Sequence, residues 1–182
     1  MSYSPLYALV VGHTFGAEGR IADRAALADP GGLTNMGVTQ ATLTDYRRRY
    51  PEEGMPVSVR DLTREQAMLI YYVDYWTPCR CEELPAYLAL LTFDASVHHG
   101  PRRAIRWMQQ AVDVVSDGHI GPLTIAAAWQ ADPKPVILTF VGERNAYLAS
   151  RPHAKHNRGW FRRRIPELQW AATEWARGQV LA

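Results

Sequence analysis

The feature that most constrains the fold of this chain is a succession of eight segments whose apolar residues recur at helical spacing. In the first segment, residues 5–17, Leu6, Leu9 and Val10 follow this spacing, and Ser4 and Pro5 provide an N-cap and a first helical position. The remaining segments are residues 40–50, 63–76 with Thr63 as its cap, 85–98, 102–114, 123–130, 135–150 and 165–180. Strand patterns are scarce, so we predict a mainly α fold.

The stretch 21–38 interrupts the helical pattern because it is rich in Gly, Pro, Asp and Thr. We predict a shaped loop with a small hairpin there. The chain of 182 residues has room for one domain, or for a catalytic lobe with a small addition. The only subdivision that we predict lies near residue 100, giving regions 1–100 and 101–182 that pack as one unit.

Composition and charge exclude several classes of protein. Cys79 and Cys81 are separated by one residue, so a bridge between them would be strained and we expect reduced thiols. Their spacing to His98 and His99 matches no common zinc pattern, and we predict no metal and no cofactor. The net charge is only +2 and the basic residues are spread without a recognised motif, so we expect no nucleic-acid partner.

Hydropathy bears on where such a chain would act. No segment approaches the roughly eighteen unbroken apolar residues of a membrane span. The apolar stretch 6–11 is short and lacks a basic leader, so we predict no signal peptide and expect synthesis in the cytoplasm. A target outside the cytoplasm would then be reached with help from another protein.

The most informative motif is Glu18-Gly19 followed, after a spacer, by DPGGLTNMGVT at residues 29–39. It resembles the signature of glycoside hydrolase family 108, the phage and prophage lysozymes, which reads roughly EGG and then DPGGxTxxGIT. Arg20 occupies the position of the second glycine in the family's EGG motif. The spacer before Asp29 is longer than in typical members. Further matches in the same order are Phe93-Asp94, Gly100, Gln109, the segment 117–124, Arg144, Tyr147 and Gly159-Trp160.

The resemblance implies an N-acetylmuramidase with a lysozyme-like helical fold and a small loop or hairpin region near its active site. Residues 1–100 would form the catalytic part. Residues 101–182 resemble the helical peptidoglycan-binding extension of these proteins. The implied reaction is hydrolysis of the β-1,4 bond between N-acetylmuramic acid and N-acetylglucosamine, with lysis of the bacterial cell wall as its outcome.

The chemistry of glycoside hydrolysis needs a protonated carboxylic acid beside the leaving oxygen. Glu18 lies at the end of an apolar helix, where partial burial would raise its pKa toward the working pH. By the resemblance, Asp29 is the base or electrostatic partner and Thr34 places the water, while Asp23 competes with Asp29. Our candidate substrate-binding residues are Gly31 and Gly32, which let the backbone approach a sugar closely, and Asn35.

Each motif also has a purely structural interpretation. Glu18 could be a surface carboxylate at a helix end, and Asp29 or Thr34 could cap a turn. For Asp94 we favour a buried side chain bonded to backbone amides over a place in the cleft. For residues 117–121 we favour a tight turn that caps the next helix over a glycan contact.

Aromatic and basic side chains also have both a structural and a functional interpretation. Trp170 and Trp175 follow helical spacing, which is more typical of a core than of a sugar platform. The basic group His153, His156, Arg158, Arg162, Arg163 and Arg164 is more typical of a solvated face than of a grip on anionic wall polymers.

Two other functions stay open at this point. A lytic transglycosylase would use one acid and no positioned water, and would release an anhydro sugar. A non-catalytic peptidoglycan-binding or virion protein would keep the fold and bind without turnover. For the hydrolase we expect peptidoglycan as the partner, a monomer, and, in a phage, release from the host cytoplasm through the pores of a holin.

Overall fold

Helices dominate the part of the chain that the computed structural model describes, namely residues 3–16, 33–151 and 159–178. Each of the eight segments with helical spacing contains a helix. These are α1 (Pro5–Gly16), α2 (Gln40–Arg49), α3 (Arg64–Tyr71), α4 (Ala86–His99), α5 (Pro101–Ala111), α6 (Pro122–Gln130), α7 (Pro133–Ala149) and α8 (Ile165–Ala176). The predicted mainly α fold is therefore confirmed.

Short irregular helices complete the helical part of this structure. Tyr72–Trp76 and Trp160–Arg164 form π-helical turns. Pro51–Glu53, Val59–Asp61 and Cys81–Glu83 form single 3-10 turns. The predicted helix 63–76 is thus one α-helix continued by a π-helical turn.

Local capping explains where the helices begin. The Ser4 hydroxyl accepts a hydrogen bond from the Tyr7 amide at 3.1 Å, as an N-cap should. Thr63 and Gln66 form a reciprocal capping box at the start of α3, with bonds of 3.1 and 3.2 Å. The helices α5, α6 and α7 begin with a proline, whose missing N–H is no loss in the first turn.

The predicted hairpin is present. Strands β1 (Thr34–Asn35) and β2 (Val38–Thr39) pair antiparallel, with Thr34 opposite Thr39. Met36 and Gly37 connect them with positive φ angles of 49° and 75°. Positive φ at both central residues is the requirement of a type I′ turn, whose twist suits two antiparallel strands.

The chain divides into two compact units, Met1–Asp74 and Tyr75–Ala182. In the first unit, α1 buries Tyr7, Val10 and Val11, α2 buries Leu43, and α3 buries Ile70. The Tyr7 hydroxyl donates to the Met68 carbonyl at 2.5 Å and ties α1 to α3.

The second unit is built around α4, whose residues 87–96 are all buried. Helices α5, α7 and α8 pack against it. The helices on either side of residue 100, α4 and α5, pack together within this unit. The functional division into 1–100 and 101–182 stays a prediction.

Cys79 and Cys81 are buried free thiols. Burial raises the pKa of Cys81 well above its usual value, which keeps that thiol protonated and unreactive. Within the described residues, no helix is long and apolar enough to cross a membrane. In the same part of the chain, no three His, Cys, Asp or Glu side chains cluster so as to hold a metal ion.

Candidate active site

The segment with the acidic candidates joins α1 to β1. Glu18, Asp29, Gly31 and Gly32 lie outside the described residues, as does Asp23. Helix α1 ends at Gly16, two positions before Glu18, and Thr34 is the first residue of β1. Both ends of this segment, the end of α1 and the start of β1, belong to the first unit and anchor it there.

Asn35 anchors the hairpin to the loop that precedes α3. Its side chain is 6% exposed, and Nδ2 donates to the Val59 and Leu62 carbonyls at 3.0 and 3.2 Å. The Arg60 carbonyl lies at 3.4 Å from the same nitrogen. Asn35 thereby satisfies the Leu62 carbonyl and adds a second donor to the Val59 carbonyl, which also accepts from the Leu62 amide at 3.3 Å. A buried carbonyl left unpaired would cost free energy.

This structural role was missed by the sequence interpretation, which treated Asn35 only as a sugar-binding residue. An amide side chain beside a two-residue turn is the only signal that could have suggested it. The contact between Asn35 and a glycan stays a prediction.

Two more side chains fix the same hairpin. The Gln40 amide spans the loop, donating to the Val57 carbonyl at 2.9 Å and accepting from the Val59 amide at 2.8 Å. The Tyr71 hydroxyl donates to the Met36 carbonyl at 3.1 Å. Tyr71 of α3 therefore holds the turn of the hairpin, and Gln40, directly after β2, holds the loop 57–59 that packs against β1.

Asp94 is the centre of a buried ionic cluster in the second unit. It is fully buried in α4, and its Oδ1 accepts from Arg144 Nη1 of α7 at 2.6 Å. Its other oxygen accepts from Arg164, just before α8. Burial alone would raise the pKa of Asp94, but Arg144, His98 and Arg164 outweigh it and hold that pKa well below its usual range.

The prediction for Asp94 was therefore right about burial and wrong about the partners. The amides near Asp94 are committed to the hydrogen bonds of α4 itself, because the residue lies inside a helix. Side chains reach its carboxylate instead: Arg144 and Arg164 from other elements, and His98 one turn further along α4, whose Nε2 lies 3.9 Å from Oδ2. The cluster joins α4, α7 and the turn before α8.

His99 lies next to this cluster as a neutral imidazole. Its Nε2 accepts from Arg144 Nε at 3.3 Å. Its ring makes edge contacts with Trp107 and Tyr147, at centroid distances of 5.3 and 5.5 Å. Burial, and then the positive charge of Arg144, lower the pKa of His99 to about 3, so it carries no charge near neutral pH.

The segment 117–121 forms the predicted tight turn. Gln109 of α5 holds it, donating to Asp117 Oδ1 at 2.8 Å and to the His119 carbonyl at 2.9 Å. Gln109 also accepts from the Gly118 amide at 2.8 Å. The expected capping of the next helix by a side chain is absent, since Gly121 occupies the N-cap position of α6.

The tryptophan side chains differ in their exposure to solvent. Trp175 is in the core, as its spacing predicts, whereas Trp170 is 68% exposed. Trp129 is 64% exposed, and its indole nitrogen donates to the Glu83 carbonyl at 2.9 Å. Trp129 and Trp170 therefore present exposed aromatic rings that could stack on a sugar.

The predicted basic face is only partly described. Arg162 and Arg163 are exposed, in agreement with a solvated face. Arg164 belongs to the Asp94 cluster instead. His153, His156 and Arg158 lie outside the described residues.

The chain is similar to a known protein family and to a solved structure. Residues 11–100 match the family model described as glycosyl hydrolase 108. The solved structure of SagA from Brucella abortus is 31% identical in sequence and superposes with a TM-score of 0.82, covering 94% of this chain and 95% of that one. No curated protein matches the chain. The chain belongs to glycosyl hydrolase family 108, which makes it a lysozyme-type glycoside hydrolase that acts on peptidoglycan.

Proposed function

We propose that this hydrolase is an N-acetylmuramidase that cleaves the β-1,4 bond between N-acetylmuramic acid and N-acetylglucosamine. The observation that carries the proposal is the family match over residues 11–100, which contains Glu18, Asp29 and Thr34 in that order. The two anchors support it. Helix α1 is fixed by its buried residues and by Tyr7, and the hairpin is fixed by Asn35, so the segment between them leaves and enters rigid elements.

In the proposed reaction, Glu18 donates its proton to the glycosidic oxygen as the bond from that oxygen to the anomeric carbon breaks. Positive charge develops on the sugar, and the carboxylate of Asp29 either accepts a proton from the incoming water or stabilises the charge, in which case the Glu18 carboxylate takes that proton. Thr34 holds that water with its hydroxyl. The oxygen of water ends on the anomeric carbon, so the product is a hydrated reducing end.

The test compares the parent protein with Glu18→Gln on purified peptidoglycan, by loss of turbidity and by the mass of the soluble muropeptides. Glutamine keeps the shape of glutamate but cannot donate the proton, so we expect activity to fall by about 10²–10⁴-fold. Glu52→Gln is the matched control, because Glu52 is an exposed glutamate in the first unit. It should behave like the parent.

The product decides between the remaining alternatives. Hydrated reducing ends that disappear in Glu18→Gln support the muramidase. Anhydro ends, lighter by one water, would identify a lytic transglycosylase. Binding without turnover would identify a non-catalytic protein, and full activity of Glu18→Gln would move the acid to another residue.

We propose further that the enzyme acts as a monomeric endolysin, held in the host cytoplasm until the pores of a holin admit it to the wall. The family resemblance is what supports this part. In cells that express the protein, lysis should begin only when a pore-forming protein is co-expressed. Lysis by the protein alone would contradict it, and light scattering of the purified protein tests the monomer.

A further inference from the structure

A cleft of about 490 Å³ opens in the second unit, at the junction of α4, α5 and α7. This volume lies within the range of small-ligand sites. Its lining includes Arg102, Arg103, Arg106 and Glu143, together with His99 and Trp107. The cleft is lined by residues of the second unit, whereas Glu18, Asp29 and Thr34, assigned to the hydrolysis of the glycan, belong to the first.

Positive charge dominates the cleft. Arg102 and Arg106 are exposed and lie four positions apart on α5, which places them on the same face of that helix. Within the described residues, neither has a carboxylate within 4 Å. Arg103 is more constrained, since its guanidinium stacks over the Tyr147 ring at 4.3 Å and donates to the His99 carbonyl at 3.2 Å.

One negative charge accompanies the three arginines. Glu143 of α7 contributes a half-buried carboxylate to the lining. No cation of the described ranges pairs with it within 4 Å. His99 adds no charge near neutral pH, because its pKa is lowered to about 3. The cleft therefore combines three guanidinium groups with one carboxylate, beside the apolar surface of Trp107 and Pro101.

We propose that this cleft binds the peptide stem of peptidoglycan, with arginines on its carboxylates and Glu143 on the free ammonium of its diamino acid. The inference rests on the proposed function, since it takes peptidoglycan as the substrate. Guanidinium groups recognise carboxylates through paired hydrogen bonds. The stem peptide is the part of the polymer that carries carboxylates and an ammonium group together, whereas the amide-linked sugar strand is uncharged.

The charge pattern argues against a site for simple anions. A phosphate group would be attracted by Arg102, Arg103 and Arg106 but repelled by Glu143. A stem peptide can pair its carboxylates with the arginines and its ammonium group with Glu143. Because the site would hold the peptide and not the glycan, it would retain the enzyme on the wall between cleavage events without taking part in the chemistry.

The test is calorimetric titration of the full-length protein with a synthetic stem tetrapeptide of alanine, γ-linked glutamate, diaminopimelate and alanine. This peptide has no glycosidic bond, so binding is measured without turnover. We expect Arg102→Gln/Arg106→Gln to weaken binding by about tenfold or more, and Glu143→Gln to weaken it less. Glutamine keeps Cβ and Cγ of Arg102, the part of the side chain that lies nearest Gly118. Arg106→Gln alone, away from that contact, should give a smaller loss.

Controls make the result specific. Arg64→Gln changes an exposed arginine of α3 outside the cleft and should bind like the parent. The same peptide with its carboxylates amidated should bind weakly. Equal binding of the amidated peptide, unchanged binding by the double variant, tighter binding by Glu143→Gln, or phosphate binding as tight as that of the peptide would each overturn the inference.

The two proposals fail in different ways. A protein that binds the peptide but does not cleave peptidoglycan would contradict the muramidase and leave the peptide site standing. A protein that cleaves peptidoglycan with a Glu18-dependent step but does not bind the peptide would contradict the site alone.

Discussion

The buried cluster around Asp94 gives the strongest prediction about stability. We expect Asp94→Asn to destabilise the second unit severely, although asparagine has nearly the same shape. The change leaves Arg144, which is 1% exposed, and Arg164, which is 13% exposed, without the carboxylate that compensates their charges. Removal of one partner from a buried ion pair costs about 3–5 kcal/mol, because a charge stays buried without compensation.

This loss in the free energy of unfolding corresponds to a measurable shift of the urea midpoint. With a urea dependence of about 2 kcal/mol per molar, a loss of about 4 kcal/mol lowers the unfolding midpoint by roughly 2 M urea. The assay is urea unfolding of the full chain followed by tryptophan fluorescence, which reports on Trp76 and Trp175 in the core of this unit. Arg164→Gln should cost less than Asp94→Asn, because it leaves the bond between Asp94 and Arg144 in place.

A surface carboxylate provides the control. Asp45 forms exposed ion pairs with Arg48 and Arg49 on α2, so Asp45→Asn should leave the midpoint almost unchanged. A loss below about 1 kcal/mol for Asp94→Asn would refute the reasoning, since the attraction in the cluster would then barely exceed the cost of burial.

The same cluster predicts a pH dependence. The pKa of Asp94 is lowered in the fold, so its contribution is present above the unfolded value near 4 and is lost as the pH falls through the folded pKa. The difference between the parent and Asp94→Asn should therefore shrink below about pH 4. A difference that grows on acidification would contradict the assignment.

Two further predictions concern single side chains. Asn35→Ala leaves the Leu62 carbonyl without its side-chain donor and the Val59 carbonyl with only the Leu62 amide, and should destabilise the first unit by about 1–3 kcal/mol in urea unfolding, whereas Thr44→Ala on the exposed face of α2 should cost much less; equal effects would contradict the anchoring role. His99 has its pKa lowered to about 3 in the fold and near 6.5 when unfolded, so its neutral form favours folding above pH 6.5 and this contribution is lost as the pH falls from 6.5 to 3. His99→Gln keeps an acceptor for Arg144 but does not titrate, so its melting temperature should fall less than that of the parent between pH 7 and 4; parallel melting curves would refute this.

Local sequence signals predicted the secondary structure well. Ser4 and Thr63 are the caps that their positions predicted, and Pro5, Pro101 and Pro122 open helices in their first turns. The hairpin also follows from composition, since Gly37 supplies one of the two positive φ angles of its turn. These interactions link residues a few positions apart, so a linear sequence contains all the information that they need.

In the candidate site, too, some features could be predicted from the sequence and others could not. The order of Glu18, Asp29 and Thr34 in a motif that matches the family was readable directly, because family membership is a property of the sequence. The role of Asn35 was not readable, because its carbonyl partners lie 24–27 positions away in a loop with no regular pattern.

The sequence by itself thus determined the helices, their caps, the hairpin and the glycosidase motif. Only the tertiary structure decided that Asp94 meets Arg144 and Arg164, which lie 50 and 70 positions away, and that three arginines share a cleft with Glu143. The physical reason is range. Capping and helical periodicity act within a turn or two of the chain. The partner of a buried charge depends on how distant helices pack, and on the requirement that no charge be buried alone.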